Sequence, residues 1–283
     1  MKSQTRSWQF AGVLSLYLLI CGVPLLAGLG YSLGYSLGLT GLLSQGFTLV
    51  HWQTLLQDTD AWRSMGYSLL VAAISMALSL SLALGVAWLH ELRSQNTLRR
   101  WLLLPLAFPP LVAGFSWYYL LSPSGFLSRL AFHLGWIGGI EAFPVIVNDF
   151  PGVGLVLTHV FLVFPLFALL FMHQSAKVRM GALWQVAQSL GSKRSQFLRR
   201  VYIPLQLRKA ELLIRLYAIF LIGTYEVALL LGRSSPRVMT LYITDKLGRF
   251  NLADIPQGHA MLVVYILLAG VLAFGGIKKY RIL

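Results

Sequence analysis

The chain has 283 residues, of which 57% are hydrophobic and only 11% are charged, and its mean hydropathy is +0.70. Soluble domains carry about a quarter charged residues, so this composition excludes an ordinary soluble protein and indicates a polytopic membrane protein. In a membrane protein the distribution of the basic residues behind the formal net charge of +14 indicates, above all, the orientation in the membrane. The single cysteine, Cys21, excludes a disulfide framework and a cysteine-based metal site.

Six apolar runs reach the roughly 20 residues that a helix needs to cross a hydrocarbon core about 30 Å thick. We predict membrane spans at residues 9–31, 66–89, 101–122, 152–173, 210–232 and 259–277. Proline and glycine occur within several of them, and such residues are tolerated where neighbouring protein or water satisfies the freed backbone groups. The predicted fold is an all-α membrane protein whose six transmembrane helices surround a cavity, with residues 1–283 as a single domain and the first run as a retained span.

Lysine and arginine are distributed unevenly between the two sides of this bundle. The N-terminus, the second and fourth connections and the C-terminus carry 16 of the 23 basic residues, and the three other connections carry 6. The positive-inside rule therefore predicts that both termini are cytoplasmic. It also places the long basic connection, residues 174–209, in the cytosol.

That connection contains the least apolar segment of the chain, WQVAQSLGSKRSQFLRRVYIP, at residues 184–204. Four apolar residues share one face of a short helix at the spacing Leu183, Val186, Ala187 and Leu190. Gly191 permits a turn, and we expect a second helix that ends at Ile203 because Pro204 follows. The segment is thus a helix, a glycine turn and a second helix, and one alternative is that it lies on anionic lipid headgroups.

The spacing of this segment resembles the cytoplasmic EAA motif of the integral-membrane permease subunits of binding-protein-dependent ABC importers. The family pattern is E-A-A, three residues, G, nine residues and I-x-L-P. The corresponding residues are Gln185-Val186-Ala187, Gly191 and Val201-Tyr202-Ile203-Pro204, with glutamine in place of the family glutamate. The stretches LLLPLAFPPLVAGFSWYYLL in the third span and GTYEVALLLGRSSPRVMTLYI from the fifth span onward are similar to such permeases as well.

The resemblance implies an ABC importer permease fold in a bacterial inner membrane, with a coupling helix between the fourth and fifth spans. In the family this helix docks in a cleft of a separate ATPase subunit. The residues assigned to docking are Leu183, Trp184, Gln185, Ala187, Leu190, Gly191, Ser192, Lys193, Arg194 and Pro204. For each of them the alternative is packing against the chain's own basic loops.

The resemblance also implies the partners. They are two ATPase subunits, a second permease subunit that is a copy of this chain or a different chain, an extracytoplasmic substrate-binding protein and membrane lipid, with no nucleic acid. The sequence contains no G-x-x-x-x-G-K-[ST] phosphate loop, so we expect ATP and Mg²⁺ on the partner ATPase, and neither a cofactor nor enzymatic activity on this chain. The fifth-span stretch looks most like permeases of polyamine, thiamine, iron and phosphonate importers, which suggests a small polar solute.

Two charged residues lie within the predicted fifth span. Arg215 is expected to pair with Glu211 one turn before it or to extend to the cytoplasmic surface. Glu226 has no such neighbour, and we interpret it as lining the translocation pathway or its outer gate, together with Thr224 and Tyr225. The alternatives are a capped or hydrated acid for Glu226 and an interfacial anchor for Tyr225.

Two other functions stay open at this point. An ion-coupled secondary carrier requires intramembrane charges in matching positions of two related halves, and the sequence does not show them. A membrane-embedded enzyme acting at the outer face could use Glu141 and Asp149. No metal site is predicted, because His159 and His173 on one span are separated by about 21 Å of helical rise.

Overall fold

The structure is a computed structural model that describes residues 12–13, 15–42, 44, 46–93, 96–249 and 251–275. Every regular element in these ranges is helical. The α-helices, numbered in chain order, are α1 (Val23–Ser36), α2 (Val50–Gln57), α3 (Thr59–Arg93), α4 (Asn96–Trp101), α5 (Pro110–Leu121), α6 (Phe126–His133), α7 (Val153–Lys177), α8 (Met180–Ser189), α9 (Arg194–Phe197), α10 (Ile203–Ile222), α11 (Glu226–Leu231), α12 (Met239–Gly248) and α13 (Ile255–Phe274). Short π turns cover Leu18–Gly22 and Leu198–Tyr202, and short 3₁₀ turns cover Pro105–Ala107, Ile140–Ala142 and Leu252–Asp254.

Four helical stretches in the described part of the chain are long and apolar enough to cross a membrane. They are Ser15–Ser36, Thr59–Leu92, Val153–Lys177 and Leu252–Phe274. A bent pair, Thr97–Ala107 with Pro110–His133, is a further candidate. The predicted all-α character is confirmed, whereas six spans and cytoplasmic termini stay predictions, and the terminal residues themselves lie outside the described ranges.

The third predicted span, residues 101–122, is broken rather than continuous, and it falls within the bent pair. The two halves of the bent pair meet at 100°. Phe108 and Pro109 adopt extended backbone between them, with ψ of 120° and 148°. Each of these residues precedes a proline, and the proline ring disfavours the helical conformation of the residue before it.

The region predicted as the fifth span, residues 210–232, is also divided. Helix α10 ends at Ile222, and α11 begins only at Glu226. Neither is among the apolar stretches named above. Helix α10 carries Glu211 and Arg215 in its interior, and these charges lower its hydropathy.

The chain packs as two compact units. One comprises Met1–Ala61 and Tyr242–Val271, and the other comprises Trp62–Leu241 and Leu272–Leu283, each within the described ranges. In the first unit the Tyr35 ring stacks on His259 with centroids 4.5 Å apart, which joins α1 to α13.

Asp58 is the centre of a polar network in the first unit. One carboxylate oxygen accepts hydrogen bonds from the backbone N–H groups of Asp60 and Ala61, which caps the start of α3. The other oxygen accepts hydrogen bonds from Tyr242 (2.8 Å) and Gln257 (2.7 Å). This cap explains why α3 begins at Thr59, before the predicted start of the second span at residue 66.

The core of the second unit is formed where α3, α5, α7 and α11 pack together. Its fully buried side chains include Leu155 on α7 and Val227 and Leu231 on α11. Gly114 allows α5 to approach α11 closely, because a Cβ at this position would lie 3.4 Å from the Val227 Cα. Small residues at such contacts are typical of helix packing in membranes.

Candidate functional site

Helix α8 lies in the connection between α7 and α10 and has a defined turn at each end. It begins after Arg179, whose φ of 51° is in the left-handed region. At its other end Gly191 N–H donates to Gln188 O and Ser192 N–H donates to Ala187 O, each at 2.9 Å. This is the Schellman pattern, and the φ of 78° at Gly191 is the conformation that glycine adopts without steric cost. The predicted glycine turn is confirmed.

Helix α8 has an inner and an outer side. On the inner side Met180 is fully buried, and Trp184 and Ala187 are half-buried. On the outer side three apolar side chains are exposed, which we call the outer apolar face: Leu183 (42% exposed), Val186 (58%) and Leu190 (81%). Contiguous apolar surface of this kind marks a contact site for protein or lipid.

The inner side of α8 packs on aromatic side chains from α3 and from the segment after Gly191. We call this the aromatic cluster: Trp88, Trp184, Phe197 and Tyr202. The Trp88 ring centroid lies 6.0 Å from that of Trp184 and 5.2 Å from that of Tyr202. The guanidinium carbon of Arg194 lies 5.5 Å from the Trp88 ring centroid, in cation–π geometry. The cluster therefore fixes both halves of the connection to α3.

A carboxylate from α3 caps the start of α8. Glu91 Oε1 accepts a hydrogen bond from Gly181 N–H at 2.9 Å. The N-cap residue of α8, Arg179, makes no side-chain cap of its own. The first N–H groups of a helix have no partner within the helix, so Glu91 supplies an acceptor that the local sequence lacks.

The segment after the glycine turn is helical without interruption, so the predicted helix end at Ile203 is wrong. Helix α9 leads into the π turn Leu198–Tyr202, which leads directly into α10. Ile203 N–H donates to Leu198 O, five residues earlier. Pro204 would clash with the carbonyl four residues before it in a regular α-helix, and the wider π turn relieves this clash. Pro204 is the second residue of α10.

The ten residues predicted for docking differ in their exposure. The exposed residues among them are Leu183, Gln185, Leu190, Gly191, Lys193 and Arg194. The half-buried ones are Trp184, Ala187, Ser192 and Pro204. Val186, which is outside that set, completes the outer apolar face.

The second candidate region is the break between α10 and α11. Thr224 and Tyr225 lie in this break, and Glu226 is the first residue of α11. Thr224 is buried, Tyr225 is half-buried and Glu226 is exposed. Among the residues that the structure describes, the Glu226 carboxylate has no ion-pair or hydrogen-bond partner. Of the three predicted pathway residues, Glu226 is thus the exposed one.

His159 on α7 holds the break from the interior. Its Nε2 lies 3.0 Å from the Thr224 hydroxyl and its Nδ1 lies 3.4 Å from the Ser75 hydroxyl. The Thr224 hydroxyl donates its one hydrogen to Leu221 O, so it must accept from His159 Nε2–H. In the neutral imidazole Nδ1 is then the acceptor for Ser75. His159 thereby joins α3, α7 and the end of α10.

The Thr224 carbonyl is paired as well. It accepts a hydrogen bond from the Thr240 hydroxyl at 2.9 Å. Because both its hydroxyl and its carbonyl are used inside the protein, Thr224 orients the break rather than presenting a polar group at the surface.

The predicted pairing within α10 is confirmed, since Arg215 Nη2 contacts Glu211 Oε1.

The two carboxylates considered for an enzyme do different things. Asp149 is buried, and its Oδ2 accepts a hydrogen bond from Val153 N–H at 2.9 Å, which caps α7. Glu141 is exposed on the 3₁₀ turn Ile140–Ala142. In the described ranges no group of three or more His, Cys, Asp or Glu side chains could hold a metal ion.

Three residues of these sites are not evident as site residues from the sequence. Trp88 and Glu91 lie three residues apart near the end of a long apolar helix, and this spacing places them on one side of α3. His159 is a polar residue among apolar neighbours in α7, which signals a buried polar contact. The partners of all three are distant in sequence.

Comparison with known proteins adds a sequence relative. No protein-family model matches the chain. A stretch of 109 residues is 30% identical to the "Trehalose transport system permease protein SugA" of Mycobacterium tuberculosis, in strains H37Rv and CDC 1551. The match covers 36% of this chain, and the chain spans only 36% of the length of these curated relatives.

Comparison with solved structures covers nearly the whole chain. A chain of a bacterial ABC transporter involved in the import of the acidic polysaccharide alginate superposes with a TM-score of 0.69 and 17% identity, over 96% of this chain and 94% of that one. A chain of the bacterial alginate ABC transporter in complex with an alginate pentasaccharide-bound periplasmic protein gives 0.68 and 18%, over 96% and 93%. These structures show the fold, and together with the permease relative they confirm the predicted resemblance to ABC importer permeases.

Proposed function

We propose that this chain is a permease subunit of an ATP-driven ABC importer and forms half of a translocation pathway. The observation that carries the proposal is the outer apolar face of α8, on a short helix that the aromatic cluster and Glu91 hold rigidly. A rigid helix with exposed apolar side chains suits docking in a groove of another protein. The whole chain is one permease domain in this proposal, with residues 174–209 as its cytoplasmic coupling loop.

The partner in the groove is an ATPase subunit, which binds ATP and Mg²⁺. The outer apolar face enters the groove, and the exposed basic residues Lys193 and Arg194 lie at its rim. Closing of two ATPase subunits moves α8, and the continuous helix from α9 to α10 carries this movement toward the break at Thr224. Glutamine at position 185 docks through hydrogen bonds in place of the charge of the family glutamate.

The remaining parts of the assembly follow from the same proposal. The chain crosses a bacterial inner membrane six times with cytoplasmic termini, and a second permease subunit completes the pathway. An extracytoplasmic binding protein delivers the solute. The ion-coupled carrier and the membrane enzyme receive no support from the relatives, which are transport proteins.

We propose a neutral carbohydrate as the solute, in place of the polyamine, thiamine or phosphonate suggested by the sequence. The relatives named above are a trehalose permease and chains of alginate importers. The free carboxylate of Glu226 can accept hydrogen bonds from sugar hydroxyls, and Tyr225 beside it offers an aromatic ring. The same carboxylate would repel an acidic polysaccharide, which favours an uncharged sugar.

Purification of the assembled transporter tests the docking step. We expect Leu190→Asp to abolish co-purification of the ATPase subunit and solute uptake, because a charge would be buried in an apolar groove. Gln188→Asp is the matched control, since Gln188 is exposed on the same helix but roughly 160° around its axis from Leu190. Retention of the ATPase by Leu190→Asp, at the level of the control, would contradict the proposal.

A further inference from the structure

We propose that Glu91 and Trp88, at the end of α3, are positioning residues for the coupling helix α8. Through them a movement of α8 is passed to α3 as well as to α10. The inference rests on the proposed function and deepens it. The first mechanical connection between the ATPase and the membrane helices is the continuous backbone from α8 to α10. The second is made by non-covalent contacts between α8 and α3. Neither residue touches the ATPase in this proposal.

The first contact is at the start of α8. The Glu91 carboxylate accepts the Gly181 N–H at 2.9 Å across 90 residues of sequence. A charged acceptor at a helix N-terminus is stabilised by the helix dipole as well as by the hydrogen bond. Because Arg179 provides no side-chain cap, the position of the first turn of α8 depends on a residue of α3.

Gly181 is matched to this contact. Outside α8, the described atom nearest to a Cβ at position 181 would be Glu91 Oε1, at 3.0 Å. Any larger side chain would therefore push the carboxylate away by a few tenths of an ångström. The absence of a side chain at Gly181 lets α3 and α8 meet through a direct backbone hydrogen bond.

The second and third contacts lie along the same side of α3. Trp88 is 4% exposed and packs on Trp184 of α8, one turn before Glu91. Another turn back, Leu84 O accepts a hydrogen bond from the Tyr202 hydroxyl at 3.0 Å. Positions 84, 88 and 91 share one face of a helix. This face of α3 therefore contacts the start of α8, the middle of α8 and Tyr202 in the following π turn.

This arrangement makes a mechanical prediction. A displacement of α8 by the ATPase would break the Glu91 hydrogen bond and disrupt the buried cluster unless α3 followed. Interfaces packed in this way move as units rather than deforming continuously. Glu91 therefore sets how much of the movement of α8 reaches the membrane helices, and its loss should lower the solute transported per ATP hydrolysed.

The test uses the complete transporter, with its ATPase and binding protein, in proteoliposomes. For Glu91→Ala we expect about a fivefold fall in solute transported per ATP hydrolysed. This factor corresponds to the loss of about 1 kcal/mol of interaction free energy between α3 and α8. The apparent KM for ATP and the amount of co-purified ATPase should be unchanged. Glu91→Gln keeps an acceptor and should retain part of the coupling, and Glu141→Ala, an exposed carboxylate elsewhere, is the matched control.

A double variant separates positioning from general destabilisation. Gly181→Ala should lower coupling about twofold through displacement of Glu91, although alanine raises helix propensity. Glu91→Ala with Gly181→Ala should be no worse than Glu91→Ala alone, because the second change acts through the first residue. Multiplying effects, or unchanged coupling in Glu91→Ala, would overturn the inference. Lack of ATP-driven uptake by the wild-type assembly would instead overturn the proposed function.

Discussion

The hydroxyl of Thr224 lies 3.0 Å from Nε2 of His159, so a side chain of α7 holds the break between α10 and α11. This contact is buried, and it lies two residues before Glu226, the exposed carboxylate of the proposed pathway. The orientation of Glu226 therefore depends on a hydrogen bond made by a helix 65 residues away in sequence.

Replacing His159 by leucine should destabilise the protein and reduce uptake. The change leaves the hydroxyls of Thr224 and Ser75 without their buried partner, which should lower the free energy of unfolding by about 1–3 kcal/mol. His159→Gln retains a donor and should lose less. Thermal unfolding in detergent measures the effect, and His173→Leu, at an exposed position of the same helix, is the control. Equal midpoints for His159→Leu and His173→Leu would contradict the role of this contact.

The aromatic cluster should be a major source of stability in the second unit. We expect Trp88→Ala to lower the free energy of unfolding by about 3–5 kcal/mol, because it removes a large buried side chain. Tyr202→Phe should cost only about 0.5–1.5 kcal/mol, through the hydrogen bond to Leu84 O. The control is Trp136→Ala, since Trp136 is 76% exposed. If Trp88→Ala were no more harmful than this control, the cluster would not hold α8.

The turn after α8 should require glycine for backbone reasons alone. Apart from its two chain neighbours, a Cβ at Gly191 would meet no atom of the described residues within 4 Å, so the cost of Gly191→Ala comes from its φ of 78°. We expect a loss of about 1–2 kcal/mol for alanine and a smaller loss for asparagine, which tolerates this conformation better. Gly85→Ala, in the helical interior of α3 with open space around it, should be neutral or stabilising in the same unfolding assay.

The network around Asp58 should make the first unit sensitive to acid. Partial burial acts to raise the pKa of Asp58, but hydrogen bonds from Tyr242, Ala61 N–H and Gln257 and the charge of Lys246 outweigh it, so the pKa lies below its ordinary value of 3.8. A depressed carboxylate pKa contributes stability above the unfolded-state pKa and loses it as the pH falls through the folded-state pKa.

Asp58→Asn should therefore lower the free energy of unfolding by about 1–3 kcal/mol near neutral pH. The difference between wild type and Asp58→Asn should shrink as the pH falls below about 4. Unfolding by denaturant as a function of pH measures it, and Asp245→Asn is the control, because Asp245 is 41% exposed in its pair with Arg249. A difference that stays constant down to acid pH would contradict the linkage.

The sequence predicts the features that are decided by residues close to one another in the chain. The left-handed turn at Gly191 and the pairing of Arg215 with Glu211 depend on residues within a few positions of each other. The helix end expected at Ile203 is wrong, because a π turn can accommodate Pro204 without ending the helix. A rule for the residue before proline does not include this option.

The sequence does not reveal contacts between distant residues. The sequence predicts Trp184 as part of an exposed docking surface, yet its ring packs inward against Trp88, which lies 96 positions earlier in the chain. Thr224 reads as a pathway residue, yet His159 and Thr240 use its polar groups. In an apolar chain almost every position is compatible with burial, so periodicity alone cannot assign which side of a short helix faces its own protein.

The most direct test of the docking proposal is cross-linking from position 190. In a Cys21→Ser background, Leu190→Cys should react through a short bifunctional reagent with the ATPase subunit of the assembled transporter in membranes. Gln188→Cys on the opposite flank should react far less with it. The docking proposal is contradicted if the thiol introduced by Leu190→Cys couples to no protein in the assembled complex and is reached only by membrane-soluble reagents, since the outer apolar face would then rest on lipid.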